Sequence, residues 1–244
     1  MTPARELWVV DLGTRSYSEV LELQRATALG RIDGSIPEDV LFLVEHPPVV
    51  TLGRSARDST HLRATPEQLI ARGAEFFDVD RGGDVTFHGP GQLVGYPIID
   101  LNRHTLDLHW YLRQLEALVM GALAEFGIVG ERSTGQTGVW THGQKIASIG
   151  VHARLWVTWH GFALNVTTDL SWFDLMVPCG IPGATMTSVE QELRRRHVTI
   201  GFVPPPDLGR QAAAATVRAA GNIFSLVPRS LALAELPIFT RESA

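Results

Sequence analysis

The chain of 244 residues contains one cysteine, Cys179, and one lysine, Lys145, against 20 arginines. A single thiol excludes an internal disulfide and a metal site built on several cysteines. No apolar run approaches the roughly 18 residues that a transmembrane helix requires, so we expect no membrane span. The first 13 residues lack the basic, apolar and small-residue succession of a secretory signal. Together with the missing disulfide, this predicts a cytoplasmic protein.

The charge balance argues against a nucleic-acid partner. The net charge is −5, and no basic stripe runs along the chain. A content of 45% apolar and 19% charged residues is that of an ordinary globular protein. The short arginine clusters (Arg54, Arg57 and Arg63, then 194–196) are expected to be solvated surface, with a docking patch for an acidic partner as the alternative.

The pattern of apolar residues predicts an α+β (mixed α/β) fold around one sheet, because strands outnumber helices and occur in hairpin-like succession. The predicted strands are 7–12, 40–44, 49–52, 75–79, 93–101, 138–141, 145–151 and one within 155–166. The predicted helices are 16–29, a short one opening at 65–67, 108–126, 186–193 and 211–226. Ser16 is expected to cap the first helix and Gly30 to end it. The simplest division is a catalytic domain over 1–203 and a C-terminal extension over 204–244, which contains a helix and has no assigned role.

Cys179 lies where the backbone is forced into a loop, since two prolines and two glycines occur within 177–183. At the reference pKa near 8.5 only about 3% of a thiol is ionised at pH 7. A nucleophilic Cys179 therefore needs a nearby cation or base, either Lys145 or one of nine histidines. An inert, buried Cys179 and a solvated turn lysine at Lys145 remain open as alternatives.

The segment 81–92 is the most irregular part of the chain, with four glycines that allow close backbone approach to a ligand. It matches neither a phosphate-binding P-loop nor a dinucleotide fingerprint. A pair of tight turns would explain the same composition. The histidines lack metal-ligand spacing and have no cysteine or carboxylate cluster beside them, so neither a metal nor a cofactor is expected.

Six short motifs taken together resemble a known family. They are RGGDVTFHGPGQ (81–92) continuing into LVGYPIIDL (93–101), GVW (138–140), KIASIG (145–150), HGFALNV (160–166), VPCG (177–180) and Thr187-Ser188. They occur in the order found in octanoyl-[acyl-carrier-protein]:protein N-octanoyltransferases, also called lipoyl(octanoyl) transferases. The resemblance covers about residues 7 to 195. The segment 81–92 departs from many members at Asp84, where they have Gln, and at Phe87, where they have Tyr.

The resemblance implies a fold like that of lipoate ligases and biotin-protein ligases. It implies transfer of an octanoyl group from octanoyl-acyl carrier protein to a lysine of lipoyl domains, in 2-oxoacid dehydrogenase complexes and the glycine cleavage H protein. The family's acyl-thioester cysteine falls on Cys179. The lysine that tunes this thiol and moves protons falls on Lys145. The substrate-binding positions fall on Arg81, Gly82, Gly83, Asp84, Val85, Thr86, Phe87, His88, Ser148, Ile149, Gly150, Gly161, Phe162 and Ala163. Val85, Ile149, Phe162 and Val177 are candidates to line an acyl slot.

Three alternatives remain at this point. An ATP-dependent lipoate or biotin-type ligase would activate a free acid and need no cysteine. A non-catalytic protein would only bind lipoyl domains or carrier protein. A cysteine hydrolase with a histidine base would release free octanoate.

Overall fold

The computed structural model describes residues 4–56, 61–177, 183–196 and 203–238. Its strands are β1 (Glu6–Thr14), β2 (Asp39–Glu45), β3 (Val49–Leu52), β4 (Glu75–Asp78), β5 (Val85–His88), β6 (Gln92–Ile98), β7 (Glu131–Ser133), β8 (Gln136–Thr141), β9 (Gln144–Arg154), β10 (Val157–Asn165) and β11 (Val227–Ser230). Its helices are α1 (Tyr17–Ile32), α2 (Pro66–Ala71), α3 (Leu108–Ala124), α4 (Val189–Arg196) and α5 (Leu208–Phe224).

Eight of these strands form a large mixed sheet in the order β11-β1-β2-β6-β10-β9-β8-β7. β1 is parallel to both of its neighbours, β2 and β11, and the remaining pairs are antiparallel. The hairpin predicted around residues 142–144 joins β8 to β9. His142 and Gly143 both have positive φ, 48° and 74°, as a type I′ turn requires. The predicted α+β class is confirmed.

A second, three-stranded sheet has the order β4-β3-β5. β3 therefore does not continue the strand of residues 40–44, because His46-Pro47-Pro48 turns the chain out of the large sheet and proline offers no N–H to a ladder. β5 lies inside the segment predicted to be irregular. Its sequence Val-Thr-Phe-His alternates apolar and polar residues, but only over four positions beside several glycines, and all four residues are buried.

Local sequence signals set the helix starts better than the helix ends. Ser16 caps α1 as predicted, in a reciprocal capping box with Glu19. Gly30 does not end this helix, which runs to Ile32. A Cβ at Gly30 would lie 2.8 Å from the Ile36 side chain, so the glycine serves close packing. α4 begins at Val189, later than predicted, because Met186 pairs with Lys145 as an isolated β-bridge.

The segment after residue 203 shares the main core. β11 adds an edge to the large sheet beside β1. Ala212, Phe224 and Leu226 are buried in one apolar cluster with the buried face of α3. The predicted C-terminal helix is present as α5, and its packing against α3 means that residues 208–230 are not a separately folded appendage.

The two faces of the large sheet carry different layers. α3 and α5 cover one face, and α1 packs on the other, against β6 and β10. The small sheet lies on the α1 side and is tied to β9 by a hydrogen bond from the Gly82 N–H to the Val151 carbonyl, 2.9 Å long. No helix in the described part of the chain is long and apolar enough to cross a membrane.

Candidate active site

A cavity of about 210 Å³ lies between the two sheets. Small residues on β9 and β10 give it an open floor, and residues of the segment 81–88 form the opposite wall. Eleven of the fourteen predicted substrate-binding residues line it: Arg81, Gly83, Asp84, Thr86, His88, Ser148, Ile149, Gly150, Gly161, Phe162 and Ala163. Three segments that are distant in sequence therefore meet in one cavity.

Gly82, Val85 and Phe87 do not line the cavity. Successive side chains of a strand point to opposite faces, and β5 turns Thr86 and His88 toward the cavity. Phe87 points the other way, where its ring stacks on Trp172 with centroids 4.8 Å apart. Of the four candidates for an acyl slot, Ile149 and Phe162 line the cavity, whereas Val85 and Val177 do not.

The inner end of the cavity is lined by buried aromatic residues that are not among the predicted substrate-binding positions: Tyr17, Tyr96 and His160, beside His88. His46, which does not itself line the cavity, is hydrogen-bonded to Tyr96. Its Nδ1 donates to the Arg15 carbonyl at 2.7 Å, so its Nε2 accepts the Tyr96 hydroxyl proton at 2.9 Å. Burial lowers the pKa of His46 to about 4 and raises that of Tyr96 well above its usual value. No local sequence signal joins these residues, because they come from α1, β6 and β10.

A chain of buried hydrogen bonds leads from this closed end toward Lys145. His88 Nδ1 donates to Gln92 Oε1 at 2.8 Å, and Gln92 Nε2 donates to Asn165 Oδ1 at 2.9 Å. Asn165 Nδ2 donates to the Thr187 carbonyl at 3.1 Å, and the Thr187 N–H donates to the Lys145 carbonyl at 2.9 Å. Burial lowers the pKa of His88 to about 3, so its ring is neutral at physiological pH.

His160 is held in an unusual backbone conformation, with φ of 58°. Its N–H donates to Gln24 Oε1 at 2.8 Å, and its Nε2 lies 2.9 Å from Asp80 Oδ1. The hydrogen bond from His160 is the main reason that the pKa of Asp80 lies well below its usual value. Burial in turn lowers the pKa of His160. The pair fixes the imidazole at the cavity wall.

Lys145 is buried, with 1% of its surface exposed, so it is not a solvated turn lysine. Its Nζ donates to the Thr137 carbonyl at 3.1 Å and lies 4.8 Å from the centre of the Trp140 ring. Thr137 lines the cavity together with Gly135 and Gln136, and this hairpin is more exposed than the closed end. Lys145 therefore lies beside the open mouth of the cavity.

The Lipoyl protein ligase A/B catalytic domain family matches residues 16–203. An octanoyltransferase from Rubrobacter xylanophilus is 55% identical over 199 residues, covering 78% of this chain and 89% of its own. One from Geobacter metallireducens is 47% identical over 204 residues, covering 84% and 91%. This chain belongs to the octanoyltransferase family. It is an acyltransferase enzyme, which removes the non-catalytic interpretation.

Solved structures confirm the predicted fold of this chain. A putative lipoate protein ligase from T. acidophilum superposes with a TM-score of 0.73 at 15% identity, covering 96% of this chain and 92% of its own. Lipoate-protein ligase A bound with ATP gives a TM-score of 0.72 at 14% identity, covering 98% and 92%. At these identities the likeness concerns the fold alone.

Cys179 lies outside the described residues, which stop at 177 and resume at 183. On one side of this gap the Val177 N–H donates to the His61 carbonyl at 2.7 Å. On the other side the Lys145 N–H donates to the Thr185 carbonyl at 2.8 Å. Thr185 is thus paired directly with Lys145.

Asp84, one of the two residues that depart from the family pattern, makes two local hydrogen bonds. Asp84 Oδ2 lies 2.7 Å from His61 Nδ1, and its Oδ1 accepts the Val85 N–H at 2.6 Å.

Of the first arginine cluster, Arg57 lies outside the described residues. Arg54 is exposed with Nη2 2.7 Å from His152 Nδ1, and Arg63 is exposed near the Asp174 carbonyl. Among the residues that the structure describes, no group of three or more potential metal ligands occurs.

Proposed function

We propose that this octanoyltransferase moves an octanoyl group from octanoyl-acyl carrier protein to a specific lysine of lipoyl domains, as a step of lipoate biosynthesis in the cytoplasm. The 2-oxoacid dehydrogenase complexes and the glycine cleavage H protein carry such domains. The observation that carries the proposal is the cavity lined by Thr137, whose carbonyl accepts the hydrogen bond of Lys145, and by the buried residues Tyr17, Tyr96 and His160.

The cavity has room for an acyl tail. Its volume of about 210 Å³ is many times the roughly 10–15 Å³ that one water molecule needs in a cavity. Val94 and Ala163, whose side chains lie in the apolar cluster on the α1 side, supply apolar walls, while Gly150 and Gly161 leave the floor open. The acyl tail would lie along β9 and β10 with its carbonyl at the Lys145 end.

The first half-reaction is a thioester exchange. The Cys179 thiolate attacks the carbonyl carbon of the octanoyl thioester on the carrier protein's phosphopantetheine. A C–S bond to Cys179 forms and the original C–S bond breaks. The leaving phosphopantetheine thiolate takes the proton of the Lys145 ammonium, which leaves Lys145 as a neutral amine. Ammonium at Lys145 would stabilise the attacking thiolate. A backbone N–H near Cys179 and one beside the segment 81–92 are the proposed oxyanion donors, each contributing roughly 3–4 kcal/mol in such sites.

The second half-reaction forms an amide. The acceptor lysine's neutral ε-amine attacks the acyl-Cys179 thioester, the C–S bond breaks, and Cys179 leaves as a thiolate. The extra proton on the attacking nitrogen passes to the neutral amine of Lys145. Lysine, unlike arginine, can exchange a proton in this way. The order of events is ping-pong, because the carrier protein leaves before the lipoyl domain is acylated.

Intact mass spectrometry after incubation with octanoyl-acyl carrier protein tests the proposal. We expect an adduct of one octanoyl group on the wild type, none on Cys179→Ala, and discharge of the adduct when a lipoyl domain is added. Turnover without any acylated enzyme would refute the covalent route.

Two control reactions address the remaining alternatives. Product formed from free octanoate and ATP, without acylated carrier protein, would instead indicate a ligase. Free octanoate released without transfer would indicate a hydrolase. The ligase has the weaker support, since the octanoyltransferase relatives are 43–55% identical and the lipoate ligases of like fold only about 15%.

A further inference from the structure

A fully buried carboxylate on α3 lies on the far side of Lys145 from the cavity. Glu116 has 0% of its surface exposed. Its Oε2 accepts hydrogen bonds from Arg113 Nη1 at 2.6 Å and Arg132 Nε at 2.8 Å. Its Oε1 accepts the Gly138 N–H at 3.3 Å. The two arginines are about half exposed and reach water, so only the Oε1 contact points into the protein.

The peptide bond that Glu116 contacts is also the one that holds Lys145. The Gly138 N–H and the Thr137 carbonyl belong to a single planar unit. Its N–H donates to Glu116 Oε1, and its carbonyl accepts the proton of Lys145 Nζ at 3.1 Å. Because the unit is rigid, fixing the direction of the N–H also fixes the carbonyl that receives the lysine.

This peptide unit can lie where it does only because residue 138 is a glycine. Gly138 has φ of 138°, and a Cβ there would lie 2.7 Å from both Lys145 Cε and the Ala147 carbonyl oxygen. Glycine adopts many backbone conformations at little cost, so a contact is needed to fix the direction of the peptide. Glu116 supplies such a contact from the α3 side.

We propose that Glu116 is a positioning residue for the reaction, acting on Lys145 through the 137–138 peptide. It rests on the proposed function in one respect, that Lys145 serves Cys179 chemistry. The proposed role depends on the length of the Glu116 side chain, which brings Oε1 to the Gly138 N–H. It does not depend on the negative charge, because Arg113 and Arg132 balance that charge locally.

Two substitutions separate the effect of the side-chain length at residue 116 from the effect of its charge. Glu116→Asp keeps the charge and the arginine partners but is one methylene shorter, so it loses the Gly138 contact. Glu116→Gln keeps the length and an accepting Oε1, while the half-exposed arginines can turn to water. We expect the Asp variant to acylate Cys179 about 10- to 100-fold more slowly than the wild type, a typical cost of misplacing a reacting group by about 1 Å. We expect the Gln variant to stay within about fivefold of the wild type.

The single lysine supplies a readout that does not depend on activity. With [ε-¹³C]lysine labelling, Lys145 gives one resonance from its Cε. We expect this resonance to move in Glu116→Asp and to stay close to the wild-type position in Glu116→Gln. If thermal unfolding shows that the Asp variant does not fold, Glu116→Ala removes the same contact and has the same expected result.

The outcomes distinguish a failure of the proposed role of Glu116 from a failure of the proposed function. An Asp variant with wild-type acylation and an unmoved resonance, or a folded Gln variant as slow as the Asp variant, would overturn the role of Glu116. A wild type that is never acylated would instead overturn the proposed function, and the resonance would still report whether Glu116 positions Lys145.

Discussion

A larger side chain in the floor of the cavity tests whether the cavity determines the length of the acyl chain that the enzyme accepts. Ala163 lies on β10 and lines the cavity. Ala163→Leu adds three carbons to the wall of the cavity, so about three of the seven tail carbons of an octanoyl group lose their place. A butyryl group has only three tail carbons and still fits.

The expected cost follows from the three carbons that lose their place. At about 0.8 kcal/mol for each buried methylene, octanoyl transfer loses about 2.4 kcal/mol of binding, or about 50-fold in kcat/KM. Butyryl transfer should change little. Competition between octanoyl and butyryl thioesters, followed by the mass of the acylated lipoyl domain, measures the ratio directly.

A matched control carries the same substitution outside the cavity. Ala28 on α1 is also buried but lines a separate cavity beside Arg25 and Trp159, so Ala28→Leu should leave the octanoyl-to-butyryl ratio unchanged. An unchanged ratio in Ala163→Leu, with the protein folded by thermal unfolding, would refute the assignment of this cavity to the acyl tail.

Three further predictions concern proton binding, proton transfer and backbone strain. Burial holds the pKa of His46 near 4 and that of His88 near 3. Below about pH 6.5 these two histidines therefore bind protons in the unfolded chain but stay neutral in the folded protein. Stability is therefore complete above that pH and falls by about 2 kcal/mol for each histidine by pH 5, measured by urea unfolding at pH 7.5 and 5; equal stabilities would contradict it. Lys145→Arg should still acquire an octanoyl group but pass it on at least about 100-fold more slowly in single-turnover assays, and near wild-type transfer would remove Lys145 from proton transfer. Gly138→Ala should lower the free energy of unfolding by about 1–3 kcal/mol, and an unchanged urea midpoint would contradict the strain.

The sequence was a good guide wherever a short stretch carries its own physical signal. Ser16 and Glu19 form their capping box because both partners lie within one turn. The β8–β9 hairpin follows from His142-Gly143 in a two-residue turn. Eleven of the fourteen predicted substrate residues line the cavity, but the family resemblance selected them, and only folding brings their three segments together. Gly30 was misjudged, because the reason for that glycine is Ile36 packed against it.

Composition and local motifs by themselves determined a globular α+β protein with one thiol and one lysine, the family it resembles, and the stretches that meet in its cavity. Only the tertiary structure decided that the polar side of β5, with Thr86 and His88, faces a buried cavity and not solvent, since alternation along a strand does not tell what covers each face. It alone joined Tyr17, Tyr96 and His160 into a closed end, and Glu116 to Lys145 through one peptide bond. Such contacts arise from packing between distant segments, and no periodicity along the chain records them.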